Sequence, residues 1–132
     1  MRIGIDIRSL SEGKLTGVEV YTLCLLKELF SMDRENHYIL FTSGIKDPKL
    51  HVDYAEFSNV SLAKLKFPNR LLNLSFRFLR RPKIDRWLGG LDVFFSPRYL
   101  FSAVSKRCRT VITTHDLSFV LHPQFFIHLS IP

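Results

Sequence analysis

Apolar segments of strand length alternate along this chain with longer segments of helical periodicity, and this alternation constrains the fold most strongly. Residues 2–7 are predicted to form a first strand, and a helical pattern begins at Gly17. The second strand, predicted over 37–42, carries a continuous apolar run, which is typical of a strand covered on both faces. Strands that alternate with helices form a parallel sheet with helices on both faces. The sequence therefore predicts an α/β, Rossmann-like domain.

The helical pattern after Gly17 places its apolar side chains three and four residues apart. Such spacing predicts one apolar stripe that faces the sheet. The stripe consists of Val18, Tyr21, Leu25, Leu26, Leu29 and Phe30. Residues 31–36 are polar and turn-forming, and the helix is expected to end among them.

The second half of the chain continues the alternation. A short strand is expected within 52–66, followed by a helical pattern over 69–88. Pro82 interrupts that pattern, so the helix is predicted to split or kink there. Gly89 and Gly90 close it in the manner of a helix stop. Two more short strands are predicted, over 92–95 and 109–114.

The positive charge of the chain is concentrated in one stretch. The net charge is +7, and residues 64–86 hold eight lysines and arginines but a single acidic residue, Asp85. Such a stretch favours an anionic neighbour: nucleic acid, a phospholipid surface or a phosphorylated substrate. Leucine and phenylalanine between the basic residues are typical of an interfacial helix, which favours an anionic membrane surface. Nucleic acid is disfavoured, because no recognised nucleic-acid-binding motif accompanies the charge.

Several functional classes are disfavoured by what the sequence lacks. No apolar run approaches the ~18 residues of a membrane span, and Asp6 and Arg8 interrupt any export signal. A cytoplasmic location is therefore expected, with the inner face of the membrane as a peripheral site. Cys24 and Cys108 match no metal or redox spacing, so no metal is expected. Without a GxGxxG or P-loop motif, no standard dinucleotide cofactor is expected either.

Polar residues follow the predicted strands where ligands bind in open parallel sheets, beyond the carboxyl ends of the strands. Three segments qualify: 8–17, 96–99 and 115–117. His115 and Asp116 are the candidate catalytic residues. The candidate substrate-binding residues are Arg8, Thr16, Gly17, Tyr21, Ser96 and Arg98.

Each of these signals has a structural alternative. Gly17 at a helix start would let backbone amides approach a phosphate or carboxylate, but Thr16 could simply cap the helix. His115 could donate to a sugar hydroxyl or a phosphate, with Asp116 fixing the loop, or the two could be a solvated histidine and a turn. A catalytic triad is not supported, because Ser96 is followed by Pro97 and no base and acid join it.

Four segments together resemble a known family: 1–8, 15–22, 92–97 and 110–119. Their order and spacing are similar to the N-terminal domain of retaining glycosyltransferases of the GT-B fold, in particular family 4, along nearly the whole chain. The resemblance implies transfer of a sugar from a nucleotide-sugar donor to an acceptor hydroxyl with retention. It also implies that this domain mainly holds the acceptor, a glycan or a lipid-linked molecule.

The resemblance also implies roles for single residues. Gly17 would belong to the loop whose backbone approaches the donor phosphates or the acceptor, and His115 would reach the donor sugar. The reaction would be a same-face displacement in which the enzyme positions substrates and stabilises the leaving group, usually without a metal. One departure is Glu19 with Val20, where many relatives have a glycine and an arginine. A carboxylate would repel a phosphate, which argues against a direct phosphate contact by this loop.

The resemblance implies that the 132 residues are the first part of a GT-B N-terminal domain, without the donor-binding domain. The chain alone is therefore expected to be inactive. Its twelve phenylalanines indicate either an aromatic core or a surface that a partner covers. Phe125 and Phe126 are expected to be exposed, with self-association as the result. The alternative function is a non-catalytic Rossmann-like binding module, or one chain of a split glycosyltransferase.

Overall fold

One parallel sheet organises the chain. The computed structural model describes residues 1–12, 16–45 and 54–125. The strands within them are β1 (Arg2–Asp6), β2 (His37–Ser43), β3 (Val60–Leu65), β4 (Val93–Ser96) and β5 (Arg109–Ile112). Every neighbouring pair is parallel, and the order across the sheet is β3-β2-β1-β4-β5. The α/β, Rossmann-like fold predicted from the sequence is confirmed.

Helices lie between β1 and β2, between β3 and β4, and after β5. They are α1 (Gly17–Met32), α2 (Asn69–Leu79), α3 (Ile84–Trp87) and α4 (Ser118–Leu121). Short 3-10 turns lie at Arg8–Glu12, Tyr54–Glu56 and Pro123–Phe125. In the ranges that the structure describes, none of the helices is long and apolar enough to cross a membrane.

Strand β2 is covered on both faces, as its continuous apolar run predicts. Side chains of a strand alternate between faces, so neighbouring residues of β2 enter different cores. Ile39 and Phe41 join the core under α2 and α3, which includes Leu72, Phe76, Ile84 and Phe94. Tyr38 and Leu40 join the core under α1, which includes Ile5, Leu26 and Phe30.

The helical pattern of 69–88 is divided in two, as Pro82 predicts. Helix α2 ends at Leu79, and its C-cap, Arg80, has a φ of 50°, in the left-handed region that closes helices. Proline has no N–H to continue the ladder of hydrogen bonds, and α3 begins only at Ile84. The strand expected within 52–66 is β3.

Two details of the first connection differ from the prediction. Residues 8–12 form a 3-10 turn rather than an irregular loop. Tyr21 does not belong to a buried stripe: it is 43% exposed, whereas Glu19 and Thr22 on the same helix are buried. The spacing of apolar residues gave the wrong prediction for Tyr21. Glu19 can be buried because polar groups hydrogen-bond to it, and the Tyr21 ring packs against His115 at the surface.

Phenylalanines occur both in the core and at the surface, the two alternatives that the composition left open. Among the residues whose burial the structure describes, four phenylalanines are almost fully buried: Phe30, Phe41, Phe76 and Phe94. Phe78 and Phe125, by contrast, are 71% and 78% exposed. Phe126 lies outside the described residues. Exposed apolar side chains also continue along β5 and α4, including Val111, Ile112, Leu117 and Leu121.

The connection from β4 to β5 is unusual for a parallel pair, because residues 97–108 contain no helix. Hydrogen bonds with α3 and with Lys83, which precedes it, hold this segment in place instead. The backbone N–H of Ile84 donates to the carbonyl of Ala103 at 2.9 Å, and Lys83 Nζ donates to the carbonyl of Val104 at 3.1 Å. The buried Asp85 accepts from the backbone and hydroxyl of Ser105 at 2.7 and 2.5 Å.

The close packing of β1 predicts that Gly4→Ala destabilises the domain. An added Cβ would overlap Leu91 Cδ1 and would lie 3.0 Å from Phe94 Cδ2, both in buried residues. We expect the free energy of unfolding to fall by about 1–3 kcal/mol, measured by urea denaturation. Gly17→Ala is the matched control. Its Cβ would meet no atom of the described residues within 4 Å, so stability should stay the same or rise slightly. Equal losses in both variants would contradict the prediction.

Candidate functional site

The strand order reverses at the carboxyl ends of β1 and β4. A ligand-binding crevice is expected at such a point, and we call this edge of the sheet the crevice. The chain leaves β1 toward β2 and β3 on one side, while β4 and β5 lie on the other. Ligands of open α/β sheets bind at such a point, where the strand order reverses. The residues that follow β1, β4 and β5 are the candidate residues identified in the sequence.

Arg8 lies beneath this edge and is 3% exposed. Its Nε donates to Asp6 Oδ1 at 2.9 Å, and its Nη2 donates to Asp6 Oδ2 at 2.6 Å. The two residues thus form a bidentate ion pair. Nη1 donates to Asn73 Oδ1 at 2.8 Å and Nη2 to Ser102 Oγ at 2.7 Å. The guanidinium carbon also lies 5.6 and 5.4 Å from the ring centres of Phe41 and Phe76. Other groups of the protein therefore already bind the Arg8 guanidinium. The role of Arg8 in substrate binding stays a prediction.

The start of α1 is held by a carboxylate. Thr16 is the N-cap, and its backbone N–H donates to Glu19 Oε2 at 3.1 Å while its hydroxyl donates to the same oxygen. Arg98 Nη1 donates to Glu19 Oε1 at 3.4 Å. Burial alone would raise the pKa of Glu19, but the hydrogen bonds from Thr16 and the charge of Arg98 outweigh it, and the net pKa is lowered. The negative charge at this helix start is thus compensated within the protein.

Gly17, the residue after this N-cap, leaves open space at the start of α1. It is exposed, and a Cβ at this position would meet no heavy atom of the described residues within 4 Å. Arg98 approaches from the loop after β4, with 47% of its side chain exposed. In the described part of the chain, the Arg98 side chain makes no further hydrogen bond, so its other N–H groups can reach a ligand.

His115 joins the same edge from the segment after β5. Its Nε2 lies 2.7 Å from the carbonyl oxygen of Pro97. A carbonyl only accepts, so Nε2 donates its proton in this contact, and in the uncharged tautomer with that proton Nδ1 is an acceptor. The ring packs edge-on against Tyr21 with centroids 5.2 Å apart. This contact joins α1 to the segment after β5 and explains why Tyr21 stays at the surface.

The side chains of Asp116 and Ser96 form hydrogen bonds within their own segments. Asp116 accepts from the backbone N–H of Ser118 at 2.7 Å and from its hydroxyl at 2.6 Å. These hydrogen bonds lower the pKa of Asp116 and fix the turn before α4. Ser96 is buried at the end of β4, with its hydroxyl 3.5 Å from the carbonyl of Leu100.

The structure thus brings Thr16, Gly17, Tyr21, Arg98 and His115 to one edge of the sheet, with Arg8 and Ser96 beneath the surface. Sequence reasoning missed the partners of Arg8. Asp6 was detectable, because a carboxylate that ends an apolar strand needs a cation. Asn73 and Ser102 carry no such signal, since they lie 65 and 94 positions from Arg8.

Comparison of the chain with protein-family models, with curated proteins and with solved structures finds no match. Among the residues that the structure describes, no group of three His, Cys, Asp or Glu side chains could hold a metal ion.

Proposed function

We propose that this chain forms the acceptor-side wall of a retaining glycosyltransferase cleft, which takes its sugar from a nucleotide-sugar donor. The observation that carries the proposal is the meeting of Gly17, Arg98 and His115 at the carboxyl edge of the sheet. They come from the segments after three different strands, and each leaves a group available to a ligand. The ordered resemblance to GT-B enzymes supports the same assignment.

The available groups suit a sugar and its phosphates. The Nδ1 atom of His115 can accept a hydrogen bond from a sugar hydroxyl, and the open space at Gly17 lets a ligand approach the start of α1. The remaining N–H groups of Arg98 can stabilise an anionic oxygen. Arg98 supplies the cation that many relatives place before the tyrosine, while it also neutralises Glu19. Catalysis would then consist of positioning and of charge stabilisation on the leaving group.

The proposed partners follow from this assignment. They are a nucleotide-sugar donor and a glycan or lipid-linked acceptor, with a cytoplasmic location. Self-association through the exposed apolar side chains of β5 and α4 belongs to the same proposal.

Ligand-observed saturation-transfer NMR of the whole chain tests the proposal. The probes are a panel of nucleoside diphosphate sugars, the matching nucleoside diphosphates and simple methyl glycosides. We expect saturation of sugar protons, and His115→Ala should weaken it about tenfold, because the hydrogen bond to the sugar is lost. Gly17→Leu should weaken it similarly by filling the open space.

Two substitutions at a distance serve as matched controls. His122→Ala removes another exposed histidine, and Glu28→Leu adds a leucine to an exposed position of α1. Both should leave the saturation unchanged. Saturation confined to the nucleotide base would instead indicate a nucleotide-binding module without sugar transfer. No saturation of sugar protons, or equal losses in all four variants, would overturn the proposal.

A further inference from the structure

A second concave surface lies on the other side of the loop that follows β4. It is formed by the exposed side of α2 and by residues 99–101, and we call it the α2 groove. Its volume is about 670 Å³. The lining residues are Arg70, Asn73, Leu74, Arg77, Arg80, Tyr99, Leu100 and Phe101.

The α2 groove is cationic. Arg70, Arg77 and Arg80 line it, and no acidic residue does within the part of the chain that the structure describes. Among the described residues, none of these three arginines forms an ion pair. Arg70 and Arg77 are seven positions apart on α2, so they lie on one face of the helix about 10 Å from each other. Three unpaired guanidinium groups around one concave surface favour an anion with several oxygens.

The surface beside this cationic groove is largely apolar. A second cavity, of about 450 Å³, shares Arg80 and residues 99–101 with the α2 groove. Apolar side chains of the sheet and of the β4–β5 connection line much of the rest: Phe94, Ala103, Val104 and Ile112. Lys83 and the hydroxyl-bearing Ser96, Ser102 and Thr110 line it as well. Within the α2 groove itself, Leu74 is 54% exposed and Phe101 is 56% exposed. A ligand that spans both cavities would have an anionic head and an apolar tail.

We propose that the α2 groove binds one anionic phospholipid of a membrane, with the head group among the three arginines and the acyl chains over Leu74 and the neighbouring apolar cavity. A flat stripe of positive charge would suit any polyanion, whereas this arrangement joins cations and apolar surface within one concavity. The proposal stands whether or not the crevice transfers sugars, because it concerns a different set of residues. If sugar transfer is also established, a lipid held here would be placed beside the crevice as its acceptor.

Calorimetric titration of the whole chain with short-chain, water-soluble dihexanoyl phosphatidylglycerol tests the proposal. We expect one molecule to bind per chain, with dihexanoyl phosphatidylcholine and inorganic phosphate binding at least about tenfold more weakly. Arg77→Gln and Arg70→Gln should each lower the affinity about tenfold, because each removes a charge-assisted hydrogen bond. Leu74→Ser should lower it through lost contact with the acyl chains.

The chain offers closely matched controls for both kinds of contact. Leu71 is 53% exposed on the same helix as Leu74 but does not line the α2 groove. Arg86 is exposed in the same basic stretch and likewise does not line it. Leu71→Ser and Arg86→Gln should leave the affinity unchanged within about twofold, since neither residue touches the ligand.

The pattern across these variants decides the outcome. Selective losses in the groove variants, with His115→Ala unaffected, would support the lipid site independently of sugar transfer. Equal losses in groove and control variants would indicate general adsorption to anionic surfaces and overturn the proposal. So would inorganic phosphate or a single-stranded oligonucleotide that binds as tightly as the lipid. Absence of any binding would overturn it as well.

Discussion

Replacing Arg8 with methionine should lower the free energy of unfolding by about 3–5 kcal/mol, because it leaves an unpaired carboxylate in the interior. Asp6 is 2% exposed, and Arg8 is its only cationic partner among the described residues. The substitution also removes the donors to Asn73 and Ser102. Urea denaturation followed by circular dichroism measures the change.

Two further variants separate the ion pair from ordinary effects of charge removal. Arg98→Met breaks the pair with Glu19, but the Arg98 side chain is 47% exposed, so the loss should stay below about 1 kcal/mol. Combining Arg8→Met with Asp6→Leu removes the stranded charge and should recover part of the lost stability. If Arg8→Met lowers the free energy of unfolding no more than Arg98→Met does, the buried ion pair does not stabilise the fold as we expect.

Phe76→Ala should lower the free energy of unfolding by about 3–5 kcal/mol, since it opens a cavity between α2 and the sheet. Phe76 is fully buried in the core that includes Phe41 and Leu72, and its ring lies 5.4 Å from the Arg8 guanidinium. The same denaturation measurement applies.

Phe78→Ala is the matched control, because it makes the same chemical change two residues further along α2. Phe78 is 71% exposed. Its replacement should change stability by no more than about 0.5 kcal/mol, with the better helix propensity of alanine offsetting lost surface contacts. Similar losses for both phenylalanines would mean that α2 is not packed as described.

The sequence was sufficient to predict the parts of the fold that depend on local pattern. Continuous apolar residues predicted that β2 is covered on both faces, and Pro82 predicted where the second helix divides. These predictions succeeded because strand burial and helix termination depend mainly on a few consecutive residues. The candidate residues at the edge of the sheet could be found in the same way, since strand ends meet there.

Features that depend on distant residues could not be predicted. The exposure of Tyr21 depends on its contact with His115, and the burial of Arg8 depends on side chains from α2 and the β4–β5 connection. The α2 groove likewise requires α2 and residues 99–101 to lie together. In each case the deciding contact joins segments whose proximity is set by the whole sheet.

The contacts of the Arg8 guanidinium have a consequence for the order in which the chain folds. It joins β1, α2 and the β4–β5 connection through contacts that span 65 and 94 positions of the chain. Such contacts close long loops, and closing long loops costs entropy before the contact can form. We therefore expect the edge that carries the crevice to form together with the interior rather than as an early, local piece of structure.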